Sequence, residues 1–327
     1  MQKISILGSG GWGLALACTC DRAGHSVTVW SAFQDEIDAI KRTGELKAKL
    51  PGIQIPKTVA LTTDISCVTG ADIVLIGIPT PYVRSVCEQA KPYMGDESIL
   101  VSTAKGLEEG SLKRMSEIIG EIYPNNRVVV MSGPSHAEEL GLGIPTAVAV
   151  ASYDRAAAEF IQQAFSDNTL RLYVNDDVIG CEIGGAVKNV IALCCGVTDG
   201  LGLGDNTKAA LITRGLREIT RLGRKLGGNP KTFSGLAGLG DLVVTCTSIH
   251  SRNYRAGVLI GKGVDPEEAV RQVGTVEGYG CAKATLKLAR SLGVEMPITE
   301  EINEILFEGQ PARQAIFDLM GRPIGEE

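Results

Sequence analysis

One lysine lies in a segment made mostly of small and apolar residues, 182–196. If this segment is helical, the residues that share a face with Lys188 are Gly184, Gly185, Ile191, Ala192 and Cys195. None of them is a carboxylate. A lysine in such surroundings is seldom fully buried without a partner, so it either extends to the surface or takes part in chemistry. Burial would also help Lys188 to exchange a proton, which makes it a candidate acid–base residue.

A second polar group follows the glycine-rich stretch 235–240. It contains an acid, Asp241, and a little further on the consecutive residues Ser251, Arg252 and Asn253. Arginine offers charge and a planar fork of donors, and asparagine with backbone amides can complete the shell around a phosphate. The alternative is a solvated loop without a ligand. We interpret this group as a candidate site for an anion.

A glycine-spaced turn comes near the start of the chain, between the apolar run 4–7 and the small-residue helical pattern 14–17. In a strand-turn-helix of this kind, Gly8 would permit the tight turn, Gly10 would admit a pyrophosphate, and Gly13 would let helix and strand pack closely. The spacing alone is weak evidence in a chain with 40 glycines. Its position after a strand and before a helix predicts a dinucleotide site.

Elements that could position these residues are visible in the hydrophobic pattern. The first half alternates helical patterns with short apolar runs typical of strands, at 3–7, 26–30, 58–61, 73–78, 98–101, 127–131, 146–150 and 170–173. Such alternation predicts an α/β fold with a mostly parallel, doubly wound sheet of Rossmann type. Beyond residue 176 long helical patterns follow, for example 205–226 and 265–292. We therefore predict a dinucleotide-binding domain at 1–180 and an all-α C-terminal domain at 181–327.

Two of the predicted strands lead into residues suited to binding. Lys105 follows the strand at 98–101, and Gly133 and Ser135 follow the strand at 127–131. Ligands bind outside the carboxyl ends of the strands in open α/β sheets, so these loops should line one crevice. Ser135 also has a structural interpretation, because serine commonly caps helices. Both interpretations of Ser135 stay open from the sequence.

Charge and composition limit the classes of partner. The 327 residues carry a formal net charge of -6, which argues against general affinity for nucleic acid or anionic membranes. No apolar run reaches the ~18 residues of a membrane-spanning helix, and no signal-peptide pattern precedes the first strand. The nine cysteines form no CxxC pair and suggest buried thiols in a reducing cytoplasm. Only three histidines are present, without metal-site spacing, so we expect no metal.

These segments together resemble the bacterial NAD(P)-dependent glycerol-3-phosphate dehydrogenases over nearly the whole chain. The resemblance rests on the blocks 8–13, 102–106, 132–135, 182–190, 235–241 and 251–253. It implies interconversion of sn-glycerol 3-phosphate and dihydroxyacetone phosphate with NAD or NADP, which supplies glycerol 3-phosphate for glycerophospholipids. It also implies a Rossmann domain followed by an all-helical domain. A homodimer is the common default for such an enzyme.

The resemblance also implies site residues. For the cofactor they are Gly11, Trp12, Lys105, Ala137, Arg252 and Glu277, in addition to Gly8, Gly10 and Gly13 of the glycine turn. For the substrate they are Lys105, Gly133, Ser135, Lys188, Asp241, Ser251, Arg252 and Asn253.

A mechanism follows from the resemblance and the residue chemistry. In reduction, Lys188 would stabilise the negative charge on the ketone oxygen and deliver a proton to it. Lys105 would polarise the same region, and Asp241 would hold Lys188 in place or adjust how readily it gives up its proton. Arg252 and Asn253 would grip the substrate phosphate and fix the ketone within reach of the nicotinamide.

One departure from the family pattern concerns the cofactor. At 30–34, the end of the second predicted strand, there is no Asp or Glu for the ribose diol of NAD. Ala32 stands where relatives often carry Arg or His for the 2′-phosphate of NADP. We therefore expect both cofactors to work.

Two rival functions are compatible with a chain of this architecture. A 2-hydroxyacid or ketopantoate type dehydrogenase would need a carboxylate clamp where this chain offers the phosphate set 251–253. A nucleotide-sensing protein without catalysis would have no use for Lys105, Lys188 and Asp241 together.

Overall fold

The structure is a computed structural model that describes residues 1–323. The chain forms two compact units. Residues 1–105 and 114–182 form the first, called here the sheet unit, and residues 106–113 with the chain from Ile183 onward form the second, called the helical unit. A single break in chain order does not describe this division, because the short segment 106–113 belongs to the helical unit.

The sheet unit contains one eight-stranded sheet with the order β3-β2-β1-β4-β5-β6-β7-β8. Its strands are β1 Lys3–Leu7, β2 Ser26–Trp30, β3 Ala60–Thr62, β4 Ile73–Ile76, β5 Ile99–Ser102, β6 Arg127–Ser132, β7 Thr146–Ala151 and β8 Leu170–Asn175. All neighbouring pairs are parallel except β6 and β7. The predicted mostly parallel sheet is confirmed. Strands β1 to β6 are parallel to one another, so their carboxyl ends share one edge.

Helices cover both faces of this sheet. They are α1 Gly11–Arg22, α2 Gln34–Thr43, α3 Val83–Ala90, α4 Met115–Ile122, α5 Ala137–Gly141 and α6 Arg155–Phe165. Side chains on the two faces of the strands belong to two separate hydrophobic cores. Ile4 and Ile6 belong to one core, and Leu7 and Ile76 belong to the other. The central strands β4 and β5 are buried along their whole length, because neither of their faces meets water. This is the doubly wound arrangement that the alternating pattern predicts.

Helix α7, Val178–Gly200, contains the border between the two units, which lies between Glu182 and Ile183. Most of this helix therefore belongs to the helical unit. Its other helices are α8 Gly204–Lys225, α9 Pro230–Phe233, α10 Asp241–Thr247, α11 Arg252–Gly261, α12 Pro266–Val273, α13 Glu277–Ser291, α14 Pro297–Asn303 and α15 Ala312–Met320. Two π-helical turns, Leu236–Gly240 and Glu304–Glu308, precede α10 and extend α14. The prediction of an all-helical second part is confirmed.

One helical prediction was wrong. The pattern 265–292 is not a continuous helix, because α12 ends at Val273 and α13 begins at Glu277. Gly274 separates them with a φ of 93°, a conformation open to glycine and unsuited to a helix interior. Because of this break, Glu277 lies in the first turn of α13 and not in the middle of the single helix predicted at 265–292.

Helix α7 packs against its neighbours with backbone in direct contact. A Cβ at Gly196 would overlap the carbonyl oxygen of Tyr254, and one at Gly257 would overlap that of Leu193. Gly200 and Gly261 repeat this contact one turn further along α7 and α11. By length and composition α7 could cross a membrane, but 94% of its most apolar stretch is buried inside the protein. It is therefore a core helix.

The cysteines behave as small apolar residues. Eight of the nine are buried, Cys67 is half-buried, and none is disulfide-bonded. Burial raises the pKa of the Cys18 thiol to about 11 and that of Cys87 to about 12. Such thiols stay protonated and inert at neutral pH.

Candidate functional site

The glycine turn after β1 has the geometry that a bound pyrophosphate needs. Gly8 has a φ of +119°, and a Cβ there would come 2.6 Å from the carbonyl oxygen of Gly77. A Cβ at Gly13 would overlap the carbonyl oxygen of Gly8, which shows how closely α1 packs on the turn. At Gly10, the N-cap of α1, the nearest atom would be 3.8 Å away. Gly10 thus leaves the first amides of α1 approachable, as anion binding at a helix N-terminus requires.

Gly11 lies at a tighter point of the same turn. A Cβ there would be 2.6 Å from the carbonyl oxygen of Lys49 and 3.2 Å from the Cβ of Ala137. The predicted cofactor residues Gly11 and Ala137 are therefore neighbours, and Trp12 packs beside them against the core of the sheet unit. These residues fit a dinucleotide that lies along the carboxyl edge of the sheet.

A carboxylate that the sequence interpretation missed lies at the end of β2. The hydroxyls of Ser9 and Ser31 both donate to Oε2 of Glu36, and Lys49 Nζ lies 2.5 Å from Oε1. Residues 30–34 contain no acid, as the sequence shows, and the structure brings the carboxylate of Glu36 to this strand end from outside that segment. Glu36 is in the first turn of α2, five residues beyond Ser31, and its side chain reaches back to the strand end. The signal was present as an acid in the first turn of a helix that follows the strand.

Glu36 is held ionised. Burial alone would raise its pKa, but hydrogen bonds from Lys49, Ser9 and Ser31 and the charge of Lys49 outweigh burial, and the net pKa lies below the ordinary value. At neutral pH the group is a carboxylate paired with an ammonium.

Lys105 organises the loops after β5 and β6. Its Nζ donates to the carbonyl oxygen of Gly133 at 2.8 Å and to Ser135 Oγ at 2.6 Å. The structure thus brings together three predicted substrate residues. Ser135 does not cap α5, whose N-cap is His136, so its capping interpretation was wrong.

Buried hydroxyls mark the same edge of the sheet. Within residues 1–323, Thr80 Oγ1, Ser102 Oγ and Ser132 Oγ are buried and make no hydrogen bond to the protein. They follow or end three successive parallel strands, β4, β5 and β6. Buried hydroxyls without protein partners are usually satisfied by water or ligand.

Lys188 is buried inside the helical unit, with 5% of its surface exposed. Its Nζ forms an ion pair with Oδ1 of Asp241, which is completely buried, and donates to Thr245 Oγ1 at 2.9 Å. Thr245 was missed from the sequence, although it lies one helical turn after Asp241 on α10 and therefore on the same face. The π-helical turn before α10 sets this face against α7, where a Cβ at Gly184 would overlap the carbonyl oxygen of Ala237.

A chain of side-chain amides links three helices of the same unit. Asn253 Nδ2 donates to Asn189 Oδ1 at 2.9 Å, and the amide of Gly278 donates to Asn253 Oδ1 at 2.8 Å. Asn189 Nδ2 in turn donates to Glu277 Oε2 at 3.3 Å. The predicted residues Asn253 and Glu277 are therefore joined through Asn189, which the sequence interpretation did not single out although it adjoins Lys188.

Ser251 and Arg252 stand at the start of α11. Ser251 Oγ accepts from the amide of Tyr254 at 3.2 Å and caps the helix. Arg252 is exposed at the first helical position, next to the amides that a helix N-terminus offers to anions. The residues predicted to bind an anion therefore lie together at the capped N-terminus of α11.

The fold and these clusters define a nicotinamide-dependent dehydrogenase with a Rossmann-type unit and a helical unit. Comparison with known proteins narrows the class. Residues 3–158 match the family model of the NAD-dependent glycerol-3-phosphate dehydrogenase N-terminus, and residues 177–317 match that of its C-terminus. The chain therefore belongs to the NAD-dependent glycerol-3-phosphate dehydrogenase family, and the sequence-based assignment is confirmed.

Individual relatives agree with the family match. The glycerol-3-phosphate dehydrogenase (NAD(P)+) of Thermoanaerobacter sp. (strain X514) is 51% identical, with 98% of this chain and 97% of the relative covered. The enzyme of the same name from Bacillus subtilis (strain 168) is 48% identical over 98% of this chain and 95% of its own. The crystal structure of glycerol-3-phosphate dehydrogenase from Coxiella burnetii has a TM-score of 0.95 at 37% identity, covering 98% of this chain and 99% of that one.

Proposed function

We propose that this chain interconverts sn-glycerol 3-phosphate and dihydroxyacetone phosphate with NAD(H) or NADP(H), and so supplies glycerol 3-phosphate for glycerophospholipid synthesis. The observation that carries the proposal is the buried cluster of Lys188, Asp241 and Thr245, within a chain of this family. A buried ammonium that an acid orients is the group a ketone reduction needs as its proton donor.

The bound nicotinamide would supply the hydride. Lys188 would stabilise the charge that grows on the ketone oxygen and donate its proton there, while Asp241 and Thr245 hold its ammonium in position. The opposite direction returns that proton to Lys188. The ion pair with Asp241 presents Lys188 as an ammonium, the form that donates a proton in reduction.

The remaining site residues would bind and orient the substrate. Arg252 and the first amides of α11 would take the phosphate, and Asn253 has a second Nδ2 hydrogen beyond the one it gives to Asn189. Lys105, Gly133 and Ser135 would contact substrate and cofactor from the loops after β5 and β6. Residues 1–180 would mainly bind the cofactor, and residues 181–327 would carry the catalytic cluster and most of the substrate contacts.

The cellular setting belongs to the same proposal. The unpaired, buried cysteines support a reducing cytoplasm, and the buried position of α7 supports a protein that does not insert into membranes. A homodimer is proposed as the working state, and light scattering coupled to gel filtration measures it directly.

A substrate screen tests the proposed reaction. Reduced NAD and reduced NADP are each offered with several small phosphorylated ketones, and the loss of nicotinamide absorbance is followed. We expect turnover with dihydroxyacetone phosphate and with both cofactors. A folded preparation that binds cofactor but shows no such turnover would favour a sensor. A preference of about a thousandfold for one cofactor, worth about 4 kcal/mol, would contradict the use of both.

A further inference from the structure

The end of β2 carries an ion pair between Glu36 and Lys49. Their side chains are 14% and 34% exposed, so the pair is anchored in the protein and still open to a ligand. Ser9 and Ser31 fix the carboxylate from the protein side by donating to Oε2.

This position is where a Rossmann-type sheet meets the adenosine ribose of a dinucleotide. Ser9 belongs to the glycine turn, and Ser31 follows β2, whose last residue Trp30 lies opposite Leu7 of β1. In such sheets an acid takes the ribose hydroxyls of NAD, and a basic residue takes the 2′-phosphate of NADP. Here one residue of each kind is present, and the two are in contact.

The backbone of Lys49 is fixed by its surroundings. Its amide donates to the carbonyl oxygen of Leu46 at 2.9 Å, and its own carbonyl oxygen lies where a side chain at Gly11 would be. Leu50, the next residue, is completely buried. The ammonium of Lys49 therefore extends from a loop whose backbone packs on the glycine turn.

The pair keeps hydrogen-bonding capacity for either cofactor. A carboxylate has about four acceptor positions, of which Ser9, Ser31 and Lys49 use three, so Oε1 can still accept from a ribose hydroxyl. The Lys49 ammonium has three donors and uses one on Glu36, which leaves two for phosphate oxygens. Glu36 alone would repel a 2′-phosphate, and Lys49 alone would attract it. Together they are neutral.

We propose that the Glu36–Lys49 ion pair decides between NAD and NADP, with Glu36 accepting from the adenosine ribose of NAD and Lys49 pairing with the 2′-phosphate of NADP. This inference rests on the proposed use of both cofactors. In this proposal, Lys49 takes the role of the basic side chain that relatives often carry at the position of Ala32.

Binding measurements without substrate test this inference. The dissociation constants of NADH and NADPH are measured by calorimetry for the wild type, Lys49→Met, Glu36→Gln and the double variant. Removing the ammonium should weaken NADPH about tenfold relative to NADH, and removing the carboxylate should strengthen NADPH about tenfold, the usual scale of one charge-assisted contact. The double variant has no net charge at this position, like the wild type. Its ratio of the NADPH and NADH dissociation constants should therefore return close to the wild-type value.

Lys47→Met is the matched control, because Lys47 is an exposed lysine of the same loop. This variant should leave the ratio of the two dissociation constants unchanged. Lys49→Arg, which keeps the positive charge, should also leave that ratio unchanged. An NADPH to NADH ratio within about twofold of wild type in Lys49→Met overturns the inference. So does an equal shift in Lys47→Met. If Glu36→Gln does not fold, the Lys49 variants alone decide. Because no ketone is present, a failure of dihydroxyacetone phosphate reduction would contradict the proposed function and leave this result standing.

Discussion

Lys188 and Asp241 form an ion pair inside the helical unit although 53 residues separate them in the chain. The contact exists because α7 and the π-helical turn before α10 pack without intervening side chains at Gly184. An ammonium and a carboxylate buried together must satisfy each other, since either one alone would be costly to bury. The pair therefore links the position of α10 to the proposed chemistry.

Lys188→Met should lower kcat by about 100-fold or more while NADH still binds, because it removes the proton donor. Steady-state kinetics and a fluorescence titration with NADH measure the two effects. The substitution also removes the ammonium that pairs with the buried Asp241, which is expected to cost about 3 kcal/mol or more of stability. Lys188→Met combined with Asp241→Asn should recover that stability without recovering kcat. An unchanged kcat in a folded variant would remove Lys188 from the mechanism.

Arg252→Ala should raise KM for dihydroxyacetone phosphate about 10- to 100-fold with a smaller effect on kcat, because it removes a charge-assisted contact to the phosphate. Arg255→Ala is the matched control, since Arg255 is exposed on the same helix. Initial rates over a range of ketone concentrations separate KM from kcat. If both variants behave alike, Arg252 is not the phosphate ligand.

Gly184→Ala tests the packing that brings Asp241 to Lys188. The new methyl group would overlap the carbonyl oxygen of Ala237 and displace the turn before α10. Overpacking of this kind costs about 1–3 kcal/mol, and a misplaced Asp241 should lower kcat at least about tenfold. Urea unfolding and steady-state kinetics measure the two quantities.

Gly280→Ala supplies the contrast for that experiment. Gly280 lies within α13, and a Cβ there would meet no atom within 4 Å. Replacement should stabilise the protein by about 0.5–1 kcal/mol through helix propensity and leave kcat unchanged. Equal effects of the two substitutions would show that close packing at Gly184 is unimportant.

Stability should fall with rising pH through Glu218. This buried carboxyl accepts from the amides of Ile298 and Thr299 at the start of α14, but burial dominates and raises its pKa from 4.5 to about 7. The folded state therefore holds the proton more tightly than the unfolded state. Its contribution to stability is complete below pH 4.5 and is lost as pH rises through 7, about 3 kcal/mol in all.

Glu218→Gln isolates this effect. The difference in unfolding free energy between the variant and the wild type should move in favour of the variant from pH 5 to pH 8, because glutamine stays neutral. Urea unfolding at several pH values gives that difference directly. Glu267→Gln, at a side chain 73% exposed, serves as the control and should show little trend. A difference independent of pH for Glu218→Gln would contradict the assignment.

Local sequence patterns were sufficient for the sheet and the glycine turn. Strands β1 to β8 follow apolar runs, and the roles of Gly8, Gly10 and Gly13 depend on neighbours close in sequence. Gly274 marks the break between α12 and α13 in the sequence. The helical patterns on both sides of it favoured one continuous helix instead. A glycine between two helical patterns therefore indicates a helix boundary.

Contacts between distant segments could not be derived in this way. The sequence offers Asp241 as a partner for Lys188 only through resemblance, because their contact depends on how α7 and α10 pack. Glu36 was overlooked for a similar reason, since its carboxylate returns to the strand end from the first turn of a helix. The proposed roles of the site residues remain predictions that the variants above test.

The glycine crossing of α7 and α11 has a consequence for how this chain can vary. With four glycines interlocked in pairs, α11 cannot slide along α7 by one residue, because larger side chains would meet the opposing backbone. A single insertion between Arg252 and Gly257 could only be absorbed by rotating the start of α11 by about 100°. That rotation would turn Arg252 away from its present direction, so insertions and deletions should be far less tolerable here than in the loops that flank the helix.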